Sequence, residues 1–201
     1  MQRKFSHGVV LAVAALLSAC ASTPASFYTL SAPMAPVQST DVAPTYIEVA
    51  PVTVPERLQR PQIVLRTDTA KVEILEQSRW SAPFNIELHD ALAAGVANRL
   101  GGIEFGQGTR TGTPLYRIRV QLLQFDATRG GQVDAQFGWS ITRSDQDGSI
   151  TSCHLSAQEA VGGPGVAEVV QAMQRIVSKT AEAIAADVQT LRAGSAGRCS
   201  R

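Results

Sequence analysis

Val133-Asp134-Ala135-Gln136-Phe137-Gly138-Trp139-Ser140-Ile141-Thr142 places an apolar side chain at every second position. Side chains of a strand alternate between its two faces, so this period of two predicts a strand with one buried and one wet face. The flanks repeat the pattern. Upstream, Tyr116, Ile118, Val120 and Leu122 alternate with Arg117, Arg119 and Gln121. Leu122-Leu123 breaks that phase before Phe125, which predicts a bulge. Asp126 to Gly131 and Ser144 to Gly148 read as turns. Ser149 to Val161 reads as a third strand with Cys153, Leu155 and Ala157 facing in. Three successive strands joined by short turns predict an antiparallel meander.

Each side of the meander carries one helical pattern. Phe84, Leu88, Leu92, Val96 and Leu100 recur every four residues, which is one face of a helix. Ser81-Ala82-Pro83 reads as its start, with a capping hydroxyl and Pro in the first turn. Gly101-Gly102 reads as its stop. After Gly162-Gly163-Pro164-Gly165, the residues Val166, Val169, Val170, Met173, Ile176, Val177, Thr180, Ile184 and Val188 form a second apolar stripe, on a helix ending near Leu191. Before the first helix, Tyr46 to Val52, Gln62 to Arg66 and Lys71 to Leu75 read as strands, the last two as a hairpin across Thr67-Asp68-Thr69-Ala70. Two amphipathic helices need an apolar surface, and a one-faced meander supplies it. The expected fold is an α+β two-layer domain, its antiparallel or mixed sheet covered on one face by both helices.

Composition narrows the function. The 201 residues are 44% hydrophobic and 17% charged, which is too apolar for a disordered chain. Eighteen Lys and Arg against seventeen Asp and Glu give +1, so nothing electrostatic favours nucleic acid. Val9 to Leu17 is an apolar run of nine residues behind Arg3-Lys4. It fits the core of an export signal and is too short to span a bilayer. Leu17-Ser18-Ala19-Cys20 then resembles a bacterial lipobox, as against a plain secretory signal or an uncleaved anchor. A lipobox implies cleavage between Ala19 and Cys20, diacylglycerol on the Cys20 thiol and acylation of the new amine. Removal of Arg3 and Lys4 with the signal takes the formal charge from +1 to −1. Two or more acyl chains hold a protein on a membrane durably. Ala21, where Asp would retain a lipoprotein in the inner membrane, points to the outer one.

The chain therefore divides into a signal peptide (1–19), a lipidated Pro-rich tether (20–45), a domain (46–192) and a flexible tail (193–201). Phe27-Tyr28-Thr29-Leu30 interrupts the tether with strong β propensity and reads as a short strand docked on the domain.

No catalytic set emerges. His89 follows the core-facing Leu88, and His154 lies opposite Cys153 and Leu155, so both read as surface residues. No H-x-x-x-H or C-x-x-C spacing supports a metal. The glycines at 162–165 open a helix, where an anion could bind, but an ordinary strand-to-helix turn explains them. Glu73 and Glu76 read as solvated. Export would place Cys153 and Cys199 in an oxidising compartment, where a disulfide and two free thiols both stay open. Catalytic residues, metal and cofactor are all expected to be none, beyond the N-terminal lipid.

Pro51-Val52, Val54-Pro55, Leu58 to Val64, Arg66, Arg79-Trp80 and Pro83 then complete a larger pattern with the lipobox and Phe27 to Leu30. Together they resemble the ABC-type transport auxiliary lipoproteins, the PqiC-like or YmbA-like group. That resemblance implies a non-enzymatic envelope lipoprotein working beside an MCE-domain protein and an ABC-type permease in intermembrane lipid transport. A homo-oligomer around a channel would suit the role; the alternatives are a periplasmic protein that carries phospholipid in its own apolar cavity and a generic structural outer-membrane lipoprotein. Arg60, Gln62, Arg79, Trp80, Phe27 and Tyr28 become candidates for docking a partner, with bracing of the strand–helix junction as the plainer alternative.

Overall fold

The expected meander forms the middle of the molecule. In the computed structural model, which describes residues 24–31, 45–104, 112–146, 149–194 and 199, the strands are β1 (Ser26–Tyr28), β2 (Tyr46–Val49), β3 (Gln62–Arg66), β4 (Val72–Trp80), β5 (Ile103–Glu104), β6 (Leu115–Ala127), β7 (Gln132–Arg143) and β8 (Ile150–Ala160). The helices are α1 (Phe84–Leu100) and α2 (Val166–Arg192). The signal, the lipobox and most of the tether lie outside the described residues.

β6, β7 and β8 pair antiparallel, with Val120 opposite Trp139 and Trp139 opposite Cys153. The register shifts between Leu122 and Gln124, where the doubled leucine predicts the bulge. β6 runs on through Asp126 and Ala127, so these pair with Asp134 and Val133 and do not belong to the turn. β2 adds to β6 in parallel, and the two-residue β5 adds to β2, giving the order β5-β2-β6-β7-β8. β2 ends at Val49, earlier than the expected Val52; one isolated bridge, Thr53 to Gln121, continues its course.

The alternation of the opening stretch is realised residue by residue. Val133, Ala135, Phe137, Trp139 and Ile141 are buried. Both helices pack on that side: α2 lies along β6, β7 and β8, while α1 packs on α2 and β2. The two helices approach closely at Gly95, where a Cβ would lie 2.8 Å from that of Ala181. α1 ends as predicted, with Gly101 at φ 55° and its N–H on the carbonyls of Ala97 and Asn98. An L side chain rarely adopts that backbone, and glycine does so without strain.

Two further expectations need correction. The sheet is not single: β1, β4 and β3 form a separate three-stranded sheet in that order. β3 and β4 are the predicted hairpin, but β4 continues five residues past Leu75 to Trp80. Ile63 pairs with Leu75 while Gln62 pairs with Arg79, so Glu76, Gln77 and Ser78 bulge out between them. That bulge, invisible in the alternation, lets both Leu75 and Trp80 face the core. The second correction is Ser81, which does not cap α1; no side chain caps it, and the hydroxyl donates instead to Glu87.

The two sheets share one core. Trp80 stacks tilted on Phe84 at 5.3 Å, Phe84 on Phe125 at 5.7 Å, and Phe125 meets Phe137 edge-on at 6.3 Å. Tilted and edge-on aromatic pairs are favoured over flat sandwiches, so this run joins the small sheet, α1 and the meander by contact as well as by burial. No described helix is long and apolar enough to cross a membrane.

Candidate functional site

The three-stranded sheet gathers five of the six residues singled out for docking. β1 pairs in parallel with β4, so Phe27 sits opposite Arg79 and Tyr28 opposite Trp80. On the other side of β4, Arg79 sits opposite Gln62. Paired residues point to the same face of a sheet. Phe27, Arg79 and Gln62 therefore make one cross-strand row facing outward, and Phe27 is 66% exposed. Trp80 and Tyr28 make the next row, facing in: Trp80 is 5% exposed and Tyr28 packs against the core. These two brace the sheet from behind. Arg60 lies just outside it, where its Nε donates to the Arg57 carbonyl at the end of the 3-10 turn Glu56–Leu58. Gln62 donates to the Glu76 carboxylate at 3.2 Å, and Arg79 to the Glu76 carbonyl at 3.0 Å, so Glu76 ties the row together across the bulge.

β1 is held by a residue that sequence periodicity does not flag. Glu87, in the first turn of α1, is only 5% exposed. One of its oxygens accepts from the Thr29 hydroxyl at 2.7 Å and the Leu30 N–H at 2.9 Å; the other accepts from the Ser81 hydroxyl and the Ala82 N–H. A buried carboxylate is tolerated only when its lone pairs are satisfied in this way. The Ser81 N–H also donates to the Tyr28 carbonyl, and Gln174 of α2 donates to the Thr29 carbonyl. Leu30 is buried at 1%. The segment following the tether's start is thus locked to β4, α1 and α2 together. Glu87 stands four residues past Pro83, and because an acid in a first helical turn is favoured anyway, its position alone does not mark it.

Among the described residues no helix covers the other face of the five-stranded sheet, which is largely polar. A depression of about 630 Å³ lies over it, lined by Thr53, Arg119, Gln121, Gly138, Ser140 and Ser152 among others. His154, opposite Gly138 on β8, stands exposed on the same face. His89 is elsewhere: its ring bonds Asp90 at 2.8 Å and the Val49 carbonyl at 3.0 Å, linking α1 to β2. The two histidines are not brought together. Glu73 forms a loose pair with Arg129 at 3.9 Å. Glu159 bridges β8 to Arg175 and Lys179 of α2, and those two donors hold its carboxyl below the usual range.

Cys153 and Cys199 are joined by a disulfide, with Cα atoms 5.6 Å apart. The alternative left open from sequence, two free thiols, does not hold here. Asp187, buried at 1% and bonded to the Trp139 indole N–H at 2.9 Å, has a carboxylate oxygen within 4.8 Å of both sulfurs. Three such groups could ligate a soft metal, but a disulfide offers no thiolate, so the oxidised site fits none. Residues 195–198, 200 and 201 of the tail lie outside the described residues, yet Cys199 itself is fastened to the sheet.

Comparison with known proteins bears on this geometry. The family model described as "ABC-type transport auxiliary lipoprotein component" matches residues 28–185, which runs from the inner aromatic of β1 into α2. No curated protein matches the chain. The crystal structure of an uncharacterised protein superposes with a TM-score of 0.65 at 18% identity, covering 83% of this chain and 99% of its own. A Xanthomonas campestris protein does so with a TM-score of 0.62 at 15% identity, covering 85% and 99%. At such identities the likeness concerns the fold alone.

Proposed function

The chain belongs to the ABC-type transport auxiliary lipoprotein component family, and from that premise we propose that it is a non-enzymatic, lipid-anchored partner of an intermembrane lipid transport system. Cys20 carries the lipid, Ala21 directs the protein to the outer membrane, and the domain stands on the periplasmic side. There it docks the channel or substrate-binding protein of the MCE type, which works with an ABC-type permease. No cofactor takes part.

The match across residues 28–185 is the observation that carries this reading. The layout of the chemistry supports it. Catalysis needs a nucleophile, a base and an orienting group within hydrogen-bond reach. Here the charged and polar side chains serve as struts: Glu87 holds β1, His89 holds β2 to α1, Glu159 holds β8 to α2. The space between helices and sheet favours docking over a carrier with its own apolar cavity. It is filled by Phe84, Phe137, Leu88, Leu92, Ile118, Leu122 and Ile176, all fully buried. Of the six docking candidates, Phe27, Arg60, Gln62 and Arg79 are placed for outside contact, with Trp80 and Tyr28 behind them.

Purification of the lipidated full-length protein from membranes tests the proposal. An MCE-domain protein and a permease should copurify with it. Absence of both, together with normal outer-membrane lipid composition in a deletion strain, would overturn it.

A further inference from the structure

We infer that the outward face of the three-stranded sheet seats on the lipid bilayer that holds Cys20, with Phe27, Val72 and Ile74 entering the boundary between headgroups and acyl chains. This names the partner of the row Phe27–Arg79–Gln62, and it rests on the proposed lipidation of Cys20.

Clustering is the first observation. Six large apolar side chains are exposed among the described residues: Phe27, Val72, Ile74, Ile86, Leu123 and Ile150. Ile86 stands alone on α1, while Leu123 and Ile150 share the open face of the five-stranded sheet but sit on β6 and β8 with β7 between them; single exposed apolar residues so separated need no explanation. Phe27, Val72 and Ile74 share one sheet. Val72 pairs with Arg66 and Ile74 with Val64, and both pairs lie on the face opposite the buried Ile63, Leu65 and Leu75. Phe27 points to that same side, opposite Arg79. On this face Phe27 sits beside the Arg79 end of β4 and Val72 and Ile74 near its start, with the polar bulge Glu76 to Ser78 between them.

Reach is the second. Phe27 follows Cys20 by seven residues. A chain of that length spans at most about 25 Å even when fully extended. β1 cannot swing away from the sheet, because three register pairs to β4 and the Glu87 hydrogen bonds fasten it. Lipid on Cys20 thus keeps this sheet, and no other part of the domain by so short a lead, next to the membrane surface. Ring and branched side chains suit the interfacial layer, and arginines at the rim meet the phosphate level. Arg79 and Arg60 spend their Nε donors on the backbone carbonyls of Glu76 and Arg57, and the proposed contact is driven by apolar insertion, for which neutral lipid suffices.

Phe27→Trp, Ile74→Trp and Ile150→Trp, each made in the full-length lipidated protein and reconstituted into phosphatidylcholine vesicles, put this to the test. Trp80 and Trp139 are buried, so wild-type emission supplies the background. Brominated lipid should quench the added emission of Phe27→Trp and Ile74→Trp and leave that of Ile150→Trp intact. Circular dichroism confirms that each variant is folded, and mass spectrometry of the N-terminal peptide reads the lipid on Cys20. Lipid present with no quenching at either sheet position overturns the inference alone. Equal quenching at all three positions overturns it too, because no face is then preferred. An unmodified Cys20 removes the anchor and the inference with it. Emission shielded only after a protein partner or a second copy is added assigns the face to protein and sinks the bilayer contact.

Discussion

Asp126 ties together parts of the chain that are far apart in sequence. Its carboxylate, with 13% of the side chain exposed, accepts from Arg66 of β3 at 2.8 Å, from Arg57 of the 3-10 turn at 3.4 Å and from Gln124 at 2.9 Å. Burial pushes its pKa up, but the Arg66, Gln124 and Arg57 contacts outweigh that, and the net shift is downward. A carboxyl depressed in the folded state binds fewer protons there than in the unfolded chain. Its stabilisation is therefore complete above the unfolded value of about 4 and disappears as pH falls through the lower folded value. Asp126→Asn should cost about 1–2 kcal/mol at neutral pH, allowing for partial solvent exposure of both arginines. Urea unfolding at pH 7 and below pH 3 checks it: the gap between variant and wild type should close in acid. Little of this was legible beforehand. Asp126 reads as a turn residue, and nothing in the sequence singles out Glu87. Burial that makes a carboxylate a strut depends on what folds over it, and local composition carries no record of that.

At the scale of elements, periodicity carried far. The bulge at Leu122, the C-terminal Gly101 and the α2 stripe all follow from patterns within a few residues. The crossing of α1 and α2 does not. Gly95 lowers helix propensity by about 1 kcal/mol relative to alanine, so propensity alone recommends Gly95→Ala. The structure reverses that expectation, because the new Cβ would sit 2.8 Å from the Ala181 Cβ, closer than packed carbons allow. Gly95→Ala should therefore destabilise by about 1–2 kcal/mol despite the propensity gain. Thermal or urea unfolding reads this, and Ala181→Gly should restore much of the loss when added to it. Recovery absent in the double variant would show that the crossing is not the cause. β4 teaches the same limit. Its bulge admits both Leu75 and Trp80 to the core, and a phase change imposed by pairing cannot be seen in the alternation of one strand.

Across the whole molecule, the Cys153–Cys199 bond closes a long loop. It links β8 to a residue beyond the end of α2, at a separation of 46 positions. Constraining an unfolded chain over such a span contributes about 2–4 kcal/mol in the loop-entropy account. Reduction with a phosphine should lower the urea midpoint accordingly, and Cys153→Ala with Cys199→Ala should reproduce the shift without reductant. An unchanged midpoint would mean that the bond merely pins the tail. The candidate face was half legible in the same sense. Phe27, Arg79 and Gln62 were chosen one by one from a linear motif, but only the parallel pairing of β1 with β4 sets them side by side. By itself the sequence determined the kinds of element, the one-faced meander, the export and lipid-attachment motif, and the family resemblance, because each is written in residues close together. Tertiary structure alone decided the second sheet, the inward turn of Trp80, the Glu87 clasp and the paired cysteines. Each of these joins positions far apart in the chain, and which distant partners meet is settled by burial and hydrogen-bond satisfaction in the folded core.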